Sequence, residues 1–129
     1  MKKVVIVDDD HTYLSLLRRA VKLEKLEAEI LVTRTAQEFR DIVTTTDGVG
    51  LVLMDVNLDG DENGFNLLPW LAKLDVPPRA LLQSSTVVQA DAERARSLGS
   101  ELLLKANSFA TLRQRLSELL AQANPSVPP

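Results

Sequence analysis

Four short apolar runs in this chain stop abruptly at polar residues: Val4-Val5-Ile6-Val7 at Asp8-Asp9-Asp10, Leu51-Val52-Leu53-Met54 at Asp55, Ala80-Leu81-Leu82-Gln83 at Ser84-Ser85-Thr86, and Leu102-Leu103-Leu104 at Lys105. Near-continuous apolar runs of this length suit strands buried on both faces, and segments of helical period lie between them. That alternation points to βαβ units and a parallel sheet covered by helices on both sides. In such a sheet ligands bind beyond the carboxyl ends of the strands, where strand order reverses. The polar groups that close the four runs are therefore expected in one crevice.

Five strands and five helices are expected. A first strand over about 3–7 is followed by a helix over about 11–26, with Leu14, Leu17 and Val21 on one face and Arg18, Arg19 and Lys22 largely off it. A second strand runs from Glu29 to Thr33, and Thr35-Ala36-Gln37-Glu38 has the form of a capping box that opens the next helix. Beyond Asp55, Asn57 to Gly64 is too rich in turn formers for a helix. The third helix, from about Phe65 to Leu74, contains Pro69, which costs a hydrogen bond in a helix interior and so predicts a kink or a late start. The fourth helix should run from about Thr86 to Gly99, and the fifth from about Ser108 with Phe109, Leu112, Leu116 and Leu119 facing inward.

At 129 residues the chain fits one domain, placed over residues 1–122. Residues 123–129 carry three prolines and read as a flexible tail or the start of a linker. The net charge of −3 and the scattered basic residues leave no electrostatic footprint for direct nucleic-acid binding or an acidic membrane surface. The absence of cysteine removes disulfides, thiolate metal sites and thiol nucleophiles. After Lys2 and Lys3 only Val4 to Val7 are continuously apolar, far short of a signal-peptide core or a membrane span, so a cytoplasmic location is the default. No glycine-rich phosphate loop follows the first strand, which counts against a nucleotide or flavin domain.

The acidic pair Asp8 and Asp9 after strand one, Asp55 after strand three, Ser84 after strand four and Lys105 after strand five occur in order and at strand ends. In this the chain resembles, over essentially its whole length, the receiver domain of two-component response regulators. The resemblance implies an α/β, doubly wound, flavodoxin-like fold with a five-stranded parallel sheet in the order 2-1-3-4-5. It also implies phosphoryl acceptance by Asp55 from a sensor histidine kinase or a histidine phosphotransfer protein. The output would pass to a downstream protein target or output domain, from a monomer or a phosphorylation-dependent dimer. Enzymatic activity would go no further than self-phosphorylation and self-dephosphorylation.

The chemistry explains the residue types. A carboxylate attacking a phosphoryl group approaches a centre ringed by negative oxygens, so transfer depends on positioning and charge neutralisation. Three aspartates held together repel one another and suit a hard cation with oxygen ligands, which makes Mg²⁺ the expected cofactor. The expected ligands are Asp9 directly, Asp8 directly or through water, Asp55 through one oxygen and, as the resemblance implies, Asn57 through its backbone carbonyl. Lys105 would give a point charge to one phosphoryl oxygen and Ser84 a hydroxyl donor to another.

The chain departs from the family in the relay rather than at the acceptor. Ala106 stands where a proline usually follows the lysine, Leu102 stands at the aromatic switch position, and the loop after Asp55 is one residue longer, with Asp59 where proline is common. Less specific readings remain for single residues. Asp10 or His11 suits a helix cap, His11 lacks the second histidine a ligand site would want, and Tyr13 and Trp70 suit packing. Two other functions compete. Asp8-Asp9-Asp10-His11-Thr12 fits the motif of a haloacid dehalogenase-type phosphatase, with Asp8 as nucleophile and Asp10 as acid/base, but this leaves Asp55 without a task. A receiver-like interaction module that works without phosphorylation is the other.

Overall fold

Five strands, β1 (Lys2–Val7), β2 (Ala28–Thr33), β3 (Val49–Asp55), β4 (Arg79–Ser84) and β5 (Leu102–Leu104), form one parallel sheet in the order β2-β1-β3-β4-β5. The expected order is the observed one. The computed structural model describes residues 2–8, 10–23, 28–57, 62–86, 88–104, 110, 113–114, 117–118 and 121. Among them are the helices α1 (His11–Leu23), α2 (Ala36–Thr45), α3 (Gly64–Ala72) and α4 (Gln89–Ser97). Four continuous helices thus stand where five are expected. The fifth falls largely outside the described residues, as do its expected inward residues Phe109, Leu112, Leu116 and Leu119, although Ala110, Arg113, Gln114, Ser117, Glu118 and Ala121 are helical.

Alternation along the strands divides the core into two layers. Val4, Ile6, Leu51, Leu53 and Leu81 pack against α1 through Tyr13, Leu14, Leu17, Ala20 and Val21. Val5, Val7, Val52, Met54 and Leu82 face the other way and meet Phe39 and Val43 of α2, Phe65, Leu67 and Leu71 of α3, and Ala95 of α4. Trp70 is a packing residue, as expected: its ring meets Phe39 edge-on with centroids 6.0 Å apart, and the Arg40 guanidinium lies 5.7 Å from its centroid.

The helix ends show where local signals succeed. Thr35 caps α2 by accepting the Glu38 N–H at 3.1 Å, while the Glu38 carboxylate meets the Thr35 hydroxyl, so the expected box is half formed. At the end of α4, Gly99 at φ 79° lets its own N–H reach the Arg96 carbonyl (3.0 Å) and the Ser100 N–H reach the Ala95 carbonyl (2.9 Å). This is a Schellman cap, and Gly99 is the C-terminal residue the sequence marks.

Two helices differ from expectation at their boundaries. Helix α3 begins at Gly64, one residue from the expected Phe65, with no late start at Pro69, and ends at Ala72 rather than Leu74. Asn63 and Asn66 cap one another reciprocally at 3.0 Å, fixing the earlier start, and Pro69 lies on the exposed side, where a carbonyl left without its N–H partner can meet water. Helix α4 begins at Gln89 rather than near Thr86, because the Thr86 N–H turns back to the Ser84 hydroxyl (3.3 Å) in a local turn that competes with helix.

Candidate functional site

The three apolar runs that form β1, β3 and β4 deliver their terminal polar residues to one end of the sheet. Val7 pairs with Met54, so Asp8 and Asp55 follow side by side on adjacent central strands, at a spacing of about 4.8 Å between neighbouring strands. Asp8 is fully buried, Asp55 is 7% exposed and Ser84 is 4% exposed, whereas Asn57 is exposed on the loop that follows. Two of the expected residues, Asp9 and Lys105, lie outside the described residues, as do Asp59 and Ala106. Lys105 directly follows Leu104, the partner of Ser84 in the ladder.

Both described carboxylates are oriented by the chain just beyond them. The Asp10 N–H donates to Asp8 Oδ1 and the Asn57 N–H donates to Asp55 Oδ1, each at 2.9 Å. One backbone donor does not exhaust a carboxylate, which offers about four acceptor directions. The donor set of buried carboxylate oxygens at strand ends fits a hard cation such as Mg²⁺. Among the described residues, which omit Asp9, no three metal-ligating side chains gather.

Asp10 serves differently. Its carboxylate accepts the Thr12 N–H (3.1 Å) and the Tyr13 N–H (3.2 Å), and its carbonyl accepts the Leu14 N–H (3.0 Å), so it is the N-cap of α1. His11 is exposed, with Nε2 3.2 Å from the Arg34 guanidinium. Ser84, one residue beyond the ladder partner of Asp55, accepts the Thr86 N–H through its hydroxyl oxygen.

Gly64 packs tightly against the end of β3. A methyl group there would sit 2.7 Å from Leu82 Cδ2 and 3.0 Å from the Asp55 carbonyl oxygen, so α3 approaches the end of β3 more closely than any side chain allows. Glu62, two residues before Gly64, pairs through its carboxylate with both terminal nitrogens of the Arg40 guanidinium on α2. That hydrogen bond, with the attraction of the opposite charges, lowers the Glu62 carboxyl below its ordinary value.

Tyr13, expected as a packing residue, does more: its buried hydroxyl donates to Gln83 Oε1. Burial first, and then the negative potential of Asp8, Asp55 and Asp10, pushes the phenol well above its ordinary value, so it remains a protonated donor. The available signal was Gln83 itself, a polar residue inside an otherwise apolar run.

Residues 4–117 match the profile of the response regulator receiver domain. The chain belongs to that family. It is accordingly a signalling domain of the two-component type, and none of its described helices is long and apolar enough to cross a membrane. A search of curated proteins finds no match. Among solved structures, the Mn²⁺-bound form of response regulator Rcp1 aligns with a TM-score of 0.84 at 15% identity, covering 98% of this chain and 100% of that one. The signal receiver domain of a DNA-binding response regulator from Colwellia psychrerythraea 34H gives 0.82 at 17% identity, covering 95% and 100%. A CheY-like receiver domain protein from Methanospirillum hungatei JF-1 gives 0.79 at 22% identity, covering 95% of each chain. At these identities the likeness establishes a shared fold.

Proposed function

We propose that this receiver accepts a phosphoryl group from a phosphohistidine onto Asp55 and signals through a change at a protein-interaction surface. The observation that supports this best is the position of Asp55. It ends a central buried strand beside Asp8, with its Oδ1 fixed by the Asn57 N–H. In the transfer the P–N bond to the donor imidazole breaks, a P–O bond to an Asp55 carboxylate oxygen forms, and the imidazole leaves with the electron pair. Asp8, Asp9, Asp55 and the Asn57 carbonyl would hold Mg²⁺, which when bound supplies positive charge to the phosphoryl oxygens. Ser84 and Lys105 complete the set as hydroxyl donor and point charge, and the domain extends over residues 1–122.

The partners in this reading are a sensor histidine kinase or histidine phosphotransfer protein and a downstream protein target, in the cytoplasm. Phosphorylation adds about −1.5 to −2 charges and three acceptor oxygens, enough to draw the Ser84 turn inward and repack α4 and β5. Leu102, half-buried against the core layer that includes Ala95 of α4, brings no aromatic ring to that movement. The phosphatase reading is less well supported, since Asp10 Oδ1 accepts two N–H groups at the start of α1 and Asp55 is left without a task.

Intact mass after treatment with acetyl phosphate and Mg²⁺ tests the proposal. One phosphoryl group is expected on the unaltered protein and none on Asp55→Asn. Uptake that persists in Asp55→Asn and disappears in Asp8→Asn would restore the phosphatase reading. No uptake by the unaltered protein would leave an interaction module independent of phosphorylation.

A further inference from the structure

The residue in ladder register with Asp55 on β4 is Gln83, not Ser84. Partners in a parallel ladder project from the same face of the sheet, so the Gln83 side chain and the Asp55 carboxylate leave neighbouring strands in the same direction, toward α1. Gln83 is 1% exposed. Its carbonyl oxygen accepts the Tyr13 hydroxyl, which turns the NH₂ end of the amide away from the ring. That nitrogen, Nε2, is buried with no hydrogen-bond partner among the described residues. Buried donors are almost always paired, because leaving one unmade forfeits its hydration without replacement. An orphan of this kind, in register with the phosphoacceptor, suits a partner that arrives only in another state of the site.

We propose that Gln83 is a phosphoryl-state ligand: its Nε2 donates to an oxygen of phosphorylated Asp55, and Tyr13 is the positioning residue that holds the amide for it. This rests on the phosphoacceptor reading of Asp55 and adds a donor to the hydroxyl and lysine already assigned. The phosphoryl group brings acceptor oxygens into a pocket where the amide already waits, so the bond forms without reorganising the core. Because Tyr13 belongs to α1 and Gln83 to β4, the pair also ties the first helix to the strand whose end must move. Neither role is served by a leucine or valine at position 83, which would pack equally well.

Beryllofluoride with Mg²⁺, a phosphoryl mimic, provides the test, with its affinity for the full chain measured calorimetrically. Gln83→Met and Gln83→Leu keep the volume and remove the donor; Tyr13→Phe keeps the ring and removes the hydroxyl. Both Gln83 variants should bind about tenfold more weakly, the factor that corresponds to about 1.4 kcal/mol. Tyr13→Phe should lose less, and Tyr13→Phe combined with Gln83→Met should lose no more than Gln83→Met alone. Urea denaturation should find Tyr13→Phe combined with Gln83→Met at least as stable as the unaltered protein, since the unpaired amide donor is removed and no phenol is left without its acceptor. A purely structural glutamine would give the opposite sign.

Affinity within about twofold of the unaltered protein in the Gln83 variants overturns the proposal, as does weakening that merely follows lost stability in both of them. An unaltered protein that binds no beryllofluoride and takes no phosphoryl group defeats the phosphoacceptor reading itself, and this proposal with it. If the unaltered protein responds normally and only the Gln83 effect is missing, the failure belongs to this proposal alone.

Discussion

The centre of the sheet and its β4–α4–β5 edge are built to different standards. Val4 to Val7 and Leu51 to Met54 are buried on both faces, between α1 on one side and α2 and α3 on the other. At the edge, β5 is three residues long and its Leu104 is 40% exposed. Helix α4 has Val88 at its N-cap, which makes no side-chain capping bond, and buries Ala95, with the Arg94 guanidinium lying 4.4 Å over the Phe65 ring. The carboxylates Asp8 and Asp55 grow from the rigid part, and Ser84 leads into the loosely held part. A phosphoacceptor needs that division, because ligands that must be preorganised belong on packed strands, whereas elements that respond are drawn from the low-stability end of the molecule.

Truncation in each half should give the widest separation. Phe39→Ala, which empties a fully buried site under the central strands, should cost about 3–5 kcal/mol in urea denaturation. Leu104→Ala at the edge should cost less than about 1 kcal/mol. Comparable losses would erase the distinction. Next in size is Gly64→Ala, expected to cost about 1–3 kcal/mol because Leu82 and the Asp55 carbonyl leave no room for a methyl group. It should also slow phosphoryl uptake by shifting the backbone of the acceptor, measured by intact mass over time.

The edge should be improvable where the centre is not. Val88→Ser gives α4 the cap it lacks at an exposed position and should stabilise the protein by up to about 1 kcal/mol. If phosphoryl-dependent signalling needs a loose α4, the same change should blunt the response to beryllofluoride. The smallest effect concerns the Arg40–Glu62 pair. Glu62 has its carboxyl lowered by Arg40, so its contribution is present above the ordinary glutamate range and is lost as pH falls through the lowered value. The gap in thermal midpoint between the unaltered protein and Glu62→Gln should therefore be small at pH 7 and close in acid. A gap that widens in acid would show that the pair does not stabilise the fold.

The elements that could be read from the sequence share one property: their cause is local. Val4 to Val7 and Leu51 to Met54 declare buried strands by composition, Thr35 declares a helix start, and Gly99 a helix end. The misread elements have causes elsewhere in the chain or in competing turns. Pro69 predicts a kink or a late start, yet Asn63 and Asn66 start the helix at Gly64, and Thr86 suits a helix start although its N–H is engaged by Ser84. The Arg40–Glu62 pair joins residues 22 apart in sequence and the Tyr13–Gln83 pair residues 70 apart, separations at which no periodicity operates.

By itself, the order of residues determined that acidic groups would stand where buried strands end, because a strand covered on both faces must be apolar until it emerges. Which polar group stands beside which was decided only in the folded sheet. Register placed Gln83 rather than Ser84 opposite Asp55, and register follows from how helices and strands pack across the whole layer.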